Sequence, residues 1–267
     1  MQFGGLSSNQ EYAMETVAKV NLGFGDHIVV SKDEWFSAAE QLVAQEKAFT
    51  RERDKLSANR RNMPWMEITQ EYLFDTPMGK KKLGELFEDK SQLIVFHFMF
   101  APDWVEGCEG CSFVCDHVDA AVPHIESKDI KFIAISRASL ATFLPFKKRM
   151  GWHFDWISSE GTTFNYDFGV SFKPDDLSAG PVYYNYREQP IRNQDQPGVT
   201  VFVKAPDGRV FRTYSTYERG EDLLMTTYNW LDLTPKGRDE DTPETNPKWF
   251  TVEPSSWPRL RPSDVTK

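Results

Sequence analysis

The sequence is poor in cysteine, with three in 267 residues, all between positions 108 and 115. So few and so close together, they cannot frame a disulfide-stapled fold, and clustering of this kind belongs to redox or metal chemistry in a reducing compartment. Long apolar runs are missing too. The most hydrophobic stretch, residues 93–101, is only strand length and contains His97, well short of the ~20 residues a membrane helix needs. The N-terminus has neither a basic start followed by an apolar block nor a small-residue cleavage site. The expectation is therefore a cytoplasmic protein with no membrane partner. Positive charge is scarce: the net charge is −9, and the basic runs Lys80-Lys81-Lys82 and Lys147-Lys148-Arg149 are short. Phosphate binding needs clustered Lys and Arg beyond what local acids cancel, so no nucleic-acid partner is expected.

Apolar residues make up 40% of the chain, enough for a sizeable core in one large domain or two small ones. Residues 1–30 read as an N-terminal arm. The capping box Ser31-Lys32-Asp33-Glu34 then opens a long helix, in which Trp35, Ala39, Leu42, Phe49 and Leu56 recur at helical spacing. Pro64 stops it by about residue 61, and residues 31–62 are expected to pack on the domain that follows. If they do not, a homodimer exchanging N-terminal helices is expected, because the apolar stripe needs a partner.

Short strands follow. Residues 72–74 and 80–83 flank Asp75-Thr76-Pro77-Met78-Gly79 as a hairpin. Residues 93–100 read as a buried strand, 111–125 as helix, 130–135 as a second buried strand and 140–150 as a second helix. The alternation of Trp152, Phe154 and Trp156 suggests a further strand. Residues 158–198, rich in Ser, Gly, Tyr, Asn and Pro, read as a long surface excursion. A hairpin about Ala205-Pro206-Asp207-Gly208 and a helix over 217–231 close a domain spanning residues 63–235, and a proline-rich charged tail covers 236–267. This order requires an α/β fold with a mixed sheet and helices on both faces, because a parallel pair needs a crossover and the last strands are joined by a tight turn.

In that topology Cys108-Glu109-Gly110-Cys111 lies where the first core strand hands over to a helix. Unpaired amide N–H groups and the helix dipole favour a thiolate there, which makes Cys108 the better nucleophile and Cys111 the resolving thiol. Glu106 and Glu109 oppose that thiolate in part. Cys115 shares the helix face of Cys111, as an alternative resolving thiol or a small buried hydrophobe. His97 is the ionisable side chain of the strand leading to the cysteines, either a proton acceptor for the buried thiol or a hydrogen-bonded core histidine. A zinc site from Cys108, Cys111, Cys115 and His117 is the competing reading. Cys115 and His117 point roughly 200° apart on a continuous helix, so no metal is expected.

The stretch HFMFAPDWVEGCEGCSFVCD, followed by FIAISRASL, KRMGWHFDWISS, FNYDFGVSF, TYSTYERG and LDLTPKGRDE, resembles the family catalogued as domain of unknown function 899, a branch of the thioredoxin-like superfamily. The similarity covers residues of about 30–241. The resemblance implies a thioredoxin-like fold: a mixed sheet flanked by helices, with an N-terminal helix and a long excursion before the last hairpin. It brings no established substrate. At the loop before the third core strand, where thioredoxins carry a cis-proline, this chain is expected to present Val199 and Thr200, with Pro197 displaced by two positions. The peroxiredoxin pattern of Pro, Thr and Cys is unmet, because Ala101 and Val105 occupy the required offsets from Cys108.

Ser136 and Arg137 are expected to face the cysteine edge of the sheet, with Trp104 beside them, since open α/β sheets bind ligands at the carboxyl ends of their strands. Arg149, Trp152 and the segment holding Ser158, Ser159, Asn165 and Asp167 either form a lid over that edge or bond the excursion to itself. Three functions compete. The first is a thiol-disulfide oxidoreductase acting through Cys108 and Cys111 on a small thiol or disulfide, or on a protein disulfide, with no cofactor. The others are zinc binding through the same sulfurs and a non-catalytic scaffold.

Overall fold

The cysteine motif hangs from the centre of a mixed sheet in the computed structural model of the protein, which describes residues 19–21, 26–191 and 193–238. Most of the N-terminal arm and nearly all of the proline-rich tail fall outside the described residues. Among those described, no helix is long and apolar enough to cross a membrane.

Two units divide at Asn59 and Arg60. In the first, β1 (Lys19–Asn21) pairs antiparallel with β2 (Asp26–Ile28), and α1 (Lys32–Arg61) follows. The capping box forms: Ser31 N–H donates to Glu34 Oε2 at 2.9 Å, and Glu34 N–H donates back to Ser31 Oγ at 3.4 Å.

The second unit begins with β3 (Met66–Glu67), the hairpin β4 (Leu73–Thr76) and β5 (Gly79–Lys82), and a 3-10 turn over Leu83–Glu85. The core crossover is β6 (Gln92–His97), α2 (Glu109–Asp119), α3 (Val122–Glu126) and β7 (Ile130–Ser136), followed by α4 (Leu140–Met150) and β8 (Asp155–Ser158). Ser139 caps the start of α4 by accepting the Thr142 N–H, and Gly151 ends it at φ 71°, a left-handed conformation that glycine adopts without strain. Next come α5 (Phe164–Asp167), α6 (Pro174–Ala179) and the small hairpin β9 (Val182–Tyr184) and β10 (Arg187–Gln189). The hairpin β11 (Gly198–Lys204) and β12 (Val210–Thr216), a 3-10 stretch over Glu218–Leu224 and α7 (Thr226–Leu231) complete the order.

The main sheet runs β3-β12-β11-β6-β7-β8-β4-β5. Strands β6, β7 and β8 are parallel neighbours, and β11 joins β6 antiparallel, with Gly198 opposite His97 and Val199 opposite Phe96. This is the thioredoxin-like arrangement, a βαβ crossover extended by an antiparallel hairpin and closed by helix.

Strand alternation sorts the core into two layers. Leu93, Val95, Ile133, Ile135 and Ile157 face one way, with Phe164, Phe168 and Phe202. Phe96, Phe98, Phe132, Ala134 and Trp156 belong to the other layer, with Cys111, Cys115 and Val114 of α2. Three expectations are corrected here. The first core strand ends at His97 rather than residue 100. The 158–198 segment is not a surface excursion, because Phe164, Phe168, Val170, Phe172, Val182 and Tyr184 are buried in the first layer. The closing helix is broken: Met225 adopts an extended backbone (φ −102°, ψ 96°), and its side chain is buried in the cysteine layer.

Candidate functional site

After His97 the chain leaves the strand but stays bonded to the sheet edge, with Phe98 N–H donating to the Ile135 carbonyl at 2.9 Å and Ala138 N–H to the Phe100 carbonyl at 2.9 Å. It then loops back, and Cys108 N–H donates to the Met99 carbonyl at 3.2 Å. Gly107 makes the return feasible. A Cβ there would come within 2.8 Å of the Phe98 ring and 2.9 Å of the Phe146 ring.

Cys108 is the N-cap of α2, and its sulfur accepts the Cys111 N–H at 3.4 Å. Cys108 is half-buried, whereas Cys111 and Cys115 are fully buried. Cys111 sulfur itself accepts the Met99 N–H at 3.4 Å. The two thiols of the motif are driven apart. Hydrogen bonding from the Cys111 thiol, with backbone N–H groups of Cys111 and Gly110, lowers the Cys108 pKa against burial and the Glu109 charge. Burial, together with the hydrogen bond and charge of Cys108, pushes Cys111 well above the ordinary thiol range. Cys115 is also raised, chiefly by burial.

His97 is not brought to the thiols. Alternation along β6 turns it to the opposite layer, where its ring lies near Phe164 and Phe168 and its Nε2 shares a 2.9 Å hydrogen bond with Thr200 Oγ1. Burial, with the nearby Arg212 charge, lowers its pKa to about 3. Thr200 is fully buried and also accepts from Ser215 Oγ at 3.0 Å. Val199 is buried in the cysteine layer and paired with Phe96. Pro197, just before the strand, lines a small cavity with Cys111, Gly110, Val114, Glu218, Glu221 and Met225.

The other expected binding residues divide. Ser136 is fully buried; its hydroxyl donates to the Phe98 carbonyl at 2.7 Å and accepts from Trp156 Nε1 at 2.9 Å. Arg137 is held by Asp195 at 2.6 Å and the Tyr166 hydroxyl at 3.0 Å, which ties down the 158–198 segment. Ser159 donates to Asn165 Oδ1 at 2.6 Å, bonding that segment to itself. Trp152 is buried and donates to Asp116 of α2 at 2.8 Å. Arg149 lies over the Phe146 ring and pairs with Glu106 in the cysteine loop through both guanidinium nitrogens, so that its charge is met by a carboxylate. Trp104 packs partly buried against the cysteine layer, and Val105 beside it is 87% exposed.

The zinc ligand set does not assemble. Both ring nitrogens of His117 are engaged, Nδ1 with the Phe113 carbonyl at 2.6 Å and Nε2 with Thr227 Oγ1 at 2.7 Å. Among the described residues no three His, Cys, Asp or Glu side chains converge as metal ligands.

Glu221 is the site residue that sequence reasoning missed. It is 3% exposed, its Oε1 has no hydrogen-bond partner, and burial raises its pKa well above the carboxylate range, with the Cys108 charge adding to the effect. The segment Glu218-Arg219-Gly220-Glu221-Asp222 looks like a solvated charged turn, and only the return of the chain toward α2 after β12 buries it.

Solved structures give distant likenesses. Peroxidoxin BcpB from Mycobacterium tuberculosis superposes with a TM-score of 0.40 at 15% identity, over 62% of this chain and 96% of that one. A putative thiol:disulfide interchange protein DsbE from Chlorobium tepidum gives 0.38 at 11%, over 60% and 93%. PrxQ from Xylella fastidiosa, solved as a cysteine-to-serine mutant, gives 0.37 at 13%, over 60% and 89%. No curated protein matches the sequence. The model of one family, described as bacterial protein of unknown function DUF899, matches residues 24–259, and the chain belongs to that family.

Proposed function

We propose that the protein is a thiol-disulfide oxidoreductase of thioredoxin-like type, with Cys108 as the attacking thiol and Cys111 as the resolving thiol. One observation carries this reading: the opposite displacement of the two thiols, Cys108 down and Cys111 up, at a helix N-cap that the loop over residues 98–107 brings back beside the end of the central strand. A pair so divided has one thiolate ready to attack and one thiol held in reserve until the mixed disulfide forms. The substrate is a disulfide, small or on a protein, approaching Cys108 over Trp104, Val105 and the Arg149–Glu106 pair. A reducing cytoplasm suits a motif that must start as a dithiol. Mass spectrometry after exposure to hydroxyethyl disulfide tests it. Cys111→Ser should accumulate a mixed disulfide at Cys108, and Cys108→Ser should form none; equal modification of all three cysteines would sink the proposal.

A further inference from the structure

A resolving thiol held protonated by burial has to lose its proton before it can attack, and His97 lies in the other layer of the core. The cavity beside Cys111 is lined by two carboxyl groups, Glu218 and Glu221. Those of Glu218 are already occupied, Oε2 accepting from Asn185 Nδ2 at 2.6 Å and Oε1 from Gln189 Nε2 at 3.4 Å. Glu221, from the same 3-10 stretch after β12, is 3% exposed and has an oxygen, Oε1, without a hydrogen-bond partner. A buried carboxyl oxygen left unpaired costs about 1–3 kcal/mol or more, so such groups call for an explanation in function or strain. Its charged and titratable surroundings are Cys108, Cys111 and Cys115 on α2, Glu218 and Asp222 on its own stretch, and Tyr184 on β9. None is a cation that would hold Glu221 ionised.

We propose that Glu221 accepts the proton of the Cys111 thiol as Cys111 resolves the mixed disulfide at Cys108. The inference rests on the oxidoreductase reading. Attack of the Cys108 thiolate on a substrate disulfide forms a Cys108–substrate S–S bond and expels the first substrate thiolate. The negative charge on Cys108 is then gone, and Glu221, still opposed by burial but freed of that repulsion, ionises more readily, its proton passing to solvent. Its carboxylate takes the proton from Cys111 as the Cys111 sulfur bonds to Cys108. The Cys108–substrate bond breaks, and the second substrate sulfur leaves with the electron pair as a thiolate. The two cysteines are oxidised to a disulfide, the substrate gains two electrons, and Glu221 ends neutral.

The test is a single turnover of the reduced protein with 5,5′-dithiobis(2-nitrobenzoate), in which the first coloured thiolate reports attack by Cys108 and the second reports resolution. In Glu221→Gln the first phase should keep its rate and the second should slow about 10²-fold or more, losing the carboxyl inflection from its pH profile. Glu221→Asp should recover part of the rate and the inflection. A second phase unchanged in rate and pH profile in Glu221→Gln would overturn the inference while leaving the oxidoreductase reading intact, whereas the absence of any first phase in the wild-type protein would overturn the reading itself. If Glu221→Gln does not fold, infrared difference spectra of the Cys111→Ser protein provide the decision: a protonated-carboxyl band should weaken when Cys108 is converted to the mixed disulfide, and an unchanged band would overturn the inference.

Discussion

Arg137 Nε lies 2.6 Å from Asp195 Oδ1, with the side chains only 12% and 4% exposed. The pair joins the end of β7 to the segment that leads into Pro197 and β11, and Asp195 also accepts from Ser171 Oγ at 2.6 Å. Removing one partner strands a buried charge, which costs about 3–5 kcal/mol. Arg137→Ala and Asp195→Ala should each lower stability in urea unfolding by that order. The double replacement Arg137→Met with Asp195→Leu should recover most of the loss, because two apolar side chains leave no charge to desolvate.

The thiolate of Cys108 is favoured mainly by donors from Cys111. Its alkylation by iodoacetamide should follow an inflection below the ordinary thiol value of about 8.5, with Cys111 and Cys115 labelled much later. Cys111→Ser retains a side-chain donor and should largely preserve that inflection. Cys111→Ala loses the donor, and the inflection should move up.

His97 is buried neutral, with its pKa lowered to about 3. In the unfolded chain it protonates near pH 6.5. The unfolded state therefore binds the extra proton first, and the stability His97 allows is fully present above about pH 6.5 and is lost as pH falls toward 3. Across that window the loss is about 1.4 kcal/mol per pH unit. His97→Gln should flatten the stability-versus-pH curve between pH 6 and 4 relative to wild type, as measured by urea midpoints.

Gly107 has no room for a methyl group between Phe98 and Phe146. Gly107→Ala should cost about 1–3 kcal/mol through overpacking and displace the loop that delivers Cys108. The check is paired: a lower thermal midpoint together with slower alkylation of Cys108.

The fold was legible where sequence signals were local. The turn Ala205-Pro206-Asp207-Gly208 and the apolar runs of β6 and β7 carry their own pattern, and the Cys-x-x-Cys at the strand-to-helix junction followed from them. The 158–198 segment reads as surface in the sequence because Phe164 and Phe168 keep helical spacing for a single turn and Phe168, Val170 and Phe172 alternate over only five residues, runs too short to stand out among the Ser, Gly and Asn residues around them. The position of His97 was within reach, since alternation with Phe96 and Phe98 already turns it from the cysteine side. Glu221 was not legible: its burial depends on contacts with α2 and Pro197 that are distant in sequence.

Strand β5 ends one side of the sheet with Lys80, Lys81 and Lys82, whose ammonium groups pair with Asp75 at 2.7 Å, Glu88 at 3.4 Å and Glu71 at 2.7 Å. A further strand adding there, from another copy or a misfolded chain, would have to crowd three bulky charged side chains along a four-residue ladder. That rim is thus a guard against fibre-like aggregation, at the end of the sheet opposite β3.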